Sequence, residues 1–135
     1  MSGLLKYYSR QVAQEISRPC YVISIGNAGD GCKLSPDHKS VLRLEFDDIN
    51  EYLGDEYILF STKEAHLIID WLNSVPKDEI IIVHCEAGIS RSAAVAKFIE
   101  ENFDYKCKSD VFCKADFYLM NNLVYRILSE TFKSY

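Results

Sequence analysis

Residues 80–99 pass through three textures with no spacer between them. Ile80-Ile81-Ile82-Val83 is short, β-branched and uninterrupted, which suits a strand covered on both faces. His84-Cys85-Glu86-Ala87-Gly88-Ile89-Ser90-Arg91-Ser92 follows at once, and Ala93-Ala94-Val95-Ala96-Lys97-Phe98-Ile99 then reads as a helix. A tight loop between a strand and a helix turns its backbone N–H groups inward. The helix N-terminus adds partial positive charge there, so such a loop is a ready site for a tetrahedral oxyanion. Gly88 permits backbone geometry that a side chain would obstruct. Arg91 supplies a planar fork of donors that matches two phosphate oxygens. The same donors stabilise a thiolate on Cys85. Ser92 is placed to donate to that sulfur when it becomes a leaving group. His84 is expected to be buried and to fix the loop by hydrogen bonding.

The flanking sequence frames the loop in an α/β domain. Tyr21-Val22-Ile23-Ser24-Ile25 reads as a strand, stopped by the loop Gly26-Asn27-Ala28-Gly29-Asp30-Gly31 at the rim of the pocket. Val41 to Phe46 reads as another strand, with Leu42, Leu44 and Phe46 on one face. Ser61 and Glu64 have the spacing of a capping box before a helix that turns Ala65, Ile68, Ile69 and Leu72 inward and ends before Pro76. Leu123, Val124, Ile127 and Leu128 mark a last helix. Leu5, Tyr8, Val12 and Ile16 have the spacing of one face of an N-terminal helix. Strands alternating with helices predict a mostly parallel central sheet flanked by helices, with ligands beyond the carboxyl ends of its strands, where Cys85 falls.

Composition bounds the rest. The 135 residues are expected to form a single domain, 1–135, and at 48% apolar residues it is globular. A net charge of −5 disfavours general nucleic-acid or anionic-membrane binding. No secretory signal or membrane-spanning run is visible, and five cysteines without framework spacing fit a reducing cytoplasm. Cys107 and Cys113 lack two further ligands at zinc spacing, so no metal is expected. His38 and His66 read as surface or helix-face residues. Cys20, Cys32, Cys107 and Cys113 read as small core or half-exposed thiols; the alternative is a protective disulfide to Cys85.

Attack by Cys85 on a phosphate ester expels an alkoxide or phenoxide, which needs a proton. General acid catalysis contributes about 10²–10⁴-fold to such a step. Asp47-Asp48, ending a neighbouring strand, is the best-placed pair, and alternation from Phe46 favours Asp48.

These residues together resemble the cysteine-based protein phosphatases, of the compact dual-specificity type. His84, Cys85, Gly88, Ser90, Arg91 and Ser92 fit every fixed position of the family pattern His-Cys-x-x-Gly-x-Ser-Arg-Ser. Leu44-Glu45-Phe46-Asp47-Asp48 matches the family's upstream acid segment with Asp48 as the acid. The order of acid first and cysteine second separates the chain from the low-molecular-weight tyrosine phosphatases. The resemblance runs from Tyr21 to the end and is to small bacterial and phage members, through Tyr21 to Ile25, Leu42 to Ile49, Ile80 to Ala96 and Asn122 to Arg126. Two departures stand out: residues 102–117 fit the pattern poorly, and the proline the family often carries before Asn122 is absent.

The resemblance implies a phosphatase-type loop and a cysteine-dependent hydrolase acting on phosphotyrosine, and on phosphoserine or phosphothreonine, of a phosphorylated protein substrate. It implies Cys85, Arg91, Asp48, Ser92 and His84 as catalytic residues and Glu86, Ala87, Gly88, Ile89, Ser90 and Arg91 as the phosphate-binding set. It requires no metal or cofactor. A monomer is expected. Glu86, Ala87 and Ile89 in the variable positions disfavour RNA, nucleotide or polyanionic lipid substrates, which family members meet with basic residues. Two readings from other classes stay open: a phosphoprotein reader without turnover, and a sulfur transferase built on a similar cysteine loop.

Overall fold

The computed structural model describes residues 2–135. Its elements in chain order are β1 (Gly3–Ser9), α1 (Arg10–Gln14), β2 (Tyr21–Gly26), β3 (Ser40–Glu45), α2 (Thr62–Ser74), β4 (Ile80–Cys85), α3 (Arg91–Asn102), β5 (Tyr105–Cys107) and α4 (Asn122–Phe132). The five strands form one sheet in the order β3-β2-β4-β1-β5, and every neighbouring pair is parallel. The expected α/β class with a central parallel sheet is what the chain forms, and the Ile80–Val83 run does hold its middle.

The strand order explains why a site opens where it does. From β1 the chain crosses to β2, on the far side of β4; from β4 it crosses to β5, on the far side of β1. These connections leave the carboxyl ends of two adjacent strands in opposite directions, which opens a crevice above them. In the β1–β4 register Ser9 is paired with Cys85, so both strands end at that crevice.

The N-terminal segment differs from expectation. Leu5 and Tyr8 belong to strand β1, and only residues 10–14 are helical. The spacing of Leu5, Tyr8 and Val12 fits a helix, but Gly3, Leu5 and Tyr7 also alternate, and all three are buried. Pairing decides between the periods: β1 pairs with β4 from Leu4 to Ser9 and with β5 from Gly3 to Leu5, so its strand form satisfies backbone groups on both edges. Strand β5, three residues in the poorly fitting stretch, was not anticipated from sequence. It is too short to show a period, and it exists because β1 offers it an edge.

Elsewhere the local signals hold. Ser61 caps α2 in a capping box with Glu64, and Ala65, Ile68, Ile69 and Leu72 are the buried face. Asn121 caps α4, accepting from the backbone N–H of Leu123 and Val124. Helix α3 packs on β1, β4, β5 and α4, so Ala93, Ala94, Val95, Ala96, Phe98 and Ile99 are all buried. Small residues along α3 let it sit close to the sheet. Each fully buried Ile or Phe contributes about 1.5–3 kcal/mol relative to exposure. Phe98 adds an edge-to-face contact with Phe132 at 5.5 Å, tying α3 to α4. This packing fixes the start of α3 relative to the end of β4, which sets the shape of the loop between them.

Candidate active site

The loop 84–92 is drawn tightly around one sulfur. Cys85 ends β4 and is 2% exposed. Its Sγ is hydrogen-bonded to Ser92 Oγ at 3.2 Å and accepts from the Gly88 N–H at 3.3 Å. Gly88 makes that turn with a φ of +74°. A Cβ there would stand 2.3 Å from Ser9 N and 2.5 Å from Tyr8 C, inside the backbone of β1. Only glycine fits, for two independent reasons: the left-handed backbone and the pressed neighbour. The Arg10 N–H donates to the Glu86 carbonyl at 3.2 Å and pins the other side of the turn to the start of α1. Glu86, Ala87 and Ile89 face solvent, whereas Gly88, Arg91 and Ser92 are buried.

His84 lies under this loop, 1% exposed, with Nε2 bonded to Ser24 Oγ at 2.6 Å across the β2–β4 pair. Burial, with the charges of Arg43, Arg10 and Arg91 nearby, pushes its pKa down to about 4. A neutral imidazole is therefore held between two strands. Its Nδ1 is buried with no hydrogen-bond partner among the described residues.

Arg91 opens α3 and is 4% exposed. One end of its guanidinium is tied down: Nη1 donates to Asn27 Oδ1 at 2.8 Å and to the Phe46 carbonyl at 2.7 Å. Its Nε is buried with no partner. The glycine-rich loop after β2 thus reaches the site through Asn27, consistent with its reading as a rim. Ser90, at the N-cap of α3, makes no side-chain cap bond, and its hydroxyl turns outward to donate to Asp48 Oδ1 at 2.8 Å.

The two aspartates after β3 are separated by their partners. Asp47 accepts from the Ile58 N–H at 2.7 Å and its own N–H donates to the Ile58 carbonyl at 2.8 Å, so it closes the 47–58 loop on itself. Asp48 instead faces loop 84–92 through Ser90 and accepts a second bond from Asn121 Nδ2 at 2.8 Å. Both bonds fall on Oδ1, leaving Oδ2 without a protein partner among the described residues.

Asn121 is not among the site residues expected from the sequence, yet it joins three parts of the site. Its Oδ1 caps α4, its Nδ2 donates to Asp48 and to the Ile49 carbonyl at 3.1 Å, and its N–H donates to the Ser90 carbonyl at 3.1 Å. The sequence signal for it was the capping position before Leu123; nothing local marked its reach to Asp48.

The other cysteines stand apart from these bonds. Cys107 and Cys113 are buried neighbours; the Cys107 thiol is pushed up by Cys113 beside it and by burial, and the Cys113 thiol is pushed down by Cys107. Cys20 and Cys32 are buried, and burial raises both thiols. No group of three His, Cys, Asp or Glu side chains is arranged to hold a metal ion among the described residues. In the same residues no helix is long and apolar enough to cross a membrane. His66 is bonded to Tyr135 OH, and His38 accepts from the Cys20 N–H, so both have structural partners.

Comparison of the chain with models of known protein families gives no match, and comparison with curated proteins gives none.

Proposed function

We propose that the protein is a phosphomonoesterase of the cysteine-dependent, dual-specificity type, acting on phosphorylated protein. The observation that carries this reading is the buried, unpartnered Nε of Arg91, on the same loop as a sulfur that is already the focus of Gly88 and Ser92. An unpaired buried donor on a cation costs roughly 1–3 kcal/mol or more, and a bound oxyanion is the ligand that relieves it. The N-terminus of α3, uncapped by Ser90, adds further donors of the same polarity.

In this reading the Cys85 thiolate attacks phosphorus and an S–P bond forms as the ester P–O bond breaks. Arg91 and the loop N–H groups stabilise charge on the equatorial oxygens. The departing oxygen takes a proton from Asp48, whose Oδ2 is the free position. Water then attacks phosphorus and gives its proton to the Asp48 carboxylate, and the S–P bond breaks. The Ser92 hydroxyl donates to the departing sulfur, and inorganic phosphate is released. Neutral His84 orients the loop from beneath and keeps a second positive charge away from Arg91.

The deciding experiment is steady-state hydrolysis of para-nitrophenyl phosphate in the presence of a chelator. The wild type is expected to turn over. Cys85→Ser is expected to abolish turnover while inorganic phosphate still binds, as read by calorimetry. Undiminished turnover in that variant sinks the mechanism. Phosphate binding without wild-type turnover favours a phosphoprotein reader, and sulfur transfer from thiosulfate to cyanide favours the transferase.

A further inference from the structure

Residues 108–121, which begin inside the poorly fitting stretch 102–117, form a wall beside loop 84–92. Between them lies a cavity of about 240 Å³ that shares Gly88 and Ile89 with the loop. Its other walls carry Val111, Phe112, Tyr118 and Leu119, which are 91%, 64%, 86% and 58% exposed. With Ile89 they make a contiguous apolar surface, and such a surface on a soluble domain marks a binding site.

The wall is built to hold these side chains outward. Asp110 Oδ1 accepts from the N–H groups of Phe112 and Cys113, at 2.7 and 2.8 Å, and its Oδ2 accepts from Tyr8 OH at 2.7 Å. Lys6 pairs with the same carboxylate at 3.1 Å. Cys113 is turned inward and 1% exposed, against Cys107. Phe117 stacks on Tyr7 at 5.5 Å and its N–H donates to Tyr7 OH. The backbone is thus fastened from behind by β1, while the side chains of 111, 112, 118 and 119 stand mostly exposed.

We infer that this cavity is a specificity pocket for one large apolar side chain beside the phosphorylated residue of a protein substrate. The inference rests on the phosphatase reading and names the substrate feature that site selects. Three observations set the occupant. Continuity with Gly88 and Ile89 means that a chain whose phosphate sits on the loop lies across the pocket mouth. Its volume is below the roughly 300–1,000 Å³ of clefts that engulf a whole small ligand, so it takes one part of a larger substrate. Its charged members, Lys114 and Asp116, are of opposite sign, which gives no net attraction for a polyanionic headgroup and leaves the apolar surface to choose.

The test uses the full chain and synthetic phosphotyrosyl peptides in an otherwise Ser/Gly/Ala scaffold. A single leucine is placed in turn at each neighbouring position, with serine as the control. Leucine at one position is expected to raise kcat/KM about tenfold over serine, from partial burial of its side chain. Phe112→Ser and Leu119→Ser are expected to abolish that ratio. The readout is the leucine-to-serine ratio within each protein, so any change in basal rate cancels. Para-nitrophenyl phosphate, too small to reach the pocket, is the control for chemistry. Turnover of it with no leucine preference, or with a preference that survives both variants, overturns the pocket and leaves the phosphatase reading standing. Loss of its turnover in the wild type overturns both. Hydrolysis of a phosphoinositide in mixed vesicles that falls with Phe112→Ser, without any peptide preference, overturns the peptide occupant in favour of a lipid.

Discussion

Loops 84–92 and 108–121 flank the same cavity but are held in opposite ways. The first is constrained through its backbone. Gly88 is jammed against β1, Cys85 is pinned by Ser92 and Gly88, and Arg91 is tied to Phe46 and Asn27. The second is constrained through contacts that reach back to β1, chiefly those of Asp110 and Phe117. It also carries non-glycine residues with positive φ, Ala115 at 55° and Phe117 at 59°, where the first uses glycine. The difference separates two jobs. In the proposed reading the first loop works through its backbone N–H groups and tolerates almost no substitution; a loop that displays side chains from a fastened backbone can change its exposed residues freely.

The largest expected effect tests that contrast at the backbone. Gly88→Ala forces a Cβ into Ser9 and an L-residue into a left-handed conformation, and is expected to cost about 3 kcal/mol or more by urea unfolding. The opposite change in the other loop, Ala115→Gly, relieves a positive φ and is expected to stabilise by up to about 1 kcal/mol. A tolerated Gly88→Ala would break the comparison.

Next in size is the pH dependence of His84. Its folded pKa of about 4 lies below the unfolded value near 6.5, so between these pH values the unfolded chain binds the extra proton. Stability therefore rises with pH across this window and is lost as pH falls through it, by up to about 3 kcal/mol. Denaturant titrations at several pH values should show that slope in the wild type and a shallower one in His84→Asn. Equal slopes would mean that the support beneath loop 84–92 does not come from a neutral imidazole.

A smaller effect separates stability from chemistry at the junction of the two loops. Asn121→Asp keeps a good N-cap for α4 but replaces the donor to Asp48 with a like charge. The midpoint of unfolding is expected to move by less than that of Asn121→Ala, which loses about 1 kcal/mol of capping. Turnover of aryl phosphate is expected to fall about tenfold or more in Asn121→Asp, because Asp48 is displaced from the loop. Loss of stability without loss of rate would reduce Asn121 to a cap.

Much of this was legible along the chain, and the reason is physical. A strand, a capping box and a glycine-bearing loop are local devices, so Ile80–Val83, Ser61 with Glu64, and the Cys85-to-Arg91 spacing could be read from neighbours in sequence. Parity from Phe46 pointed to Asp48, and the bonds to Ser90 and Asn121 separate it from Asp47. The N-terminal strand is not legible locally because its apolar residues satisfy two periods at once, and the choice is made by β4 and β5, which lie far away in sequence. The three-residue β5 carried no period at all.

What the sequence by itself determined is the chemistry on offer: a cysteine, an arginine and a serine on one short turn, with an acid at the end of an earlier strand. These are properties of residue type and close spacing. Only the tertiary structure decided which groups face one another. Ser24 beneath His84, Asn27 on Arg91, Asn121 on Asp48 and the apolar wall of 111–119 beside Ile89 all join residues that the strand order β3-β2-β4-β1-β5 brings together. A parallel sheet sends each connection over its neighbours, so the crevice at its carboxyl edge gathers side chains from every part of the chain, and no local pattern encodes that meeting.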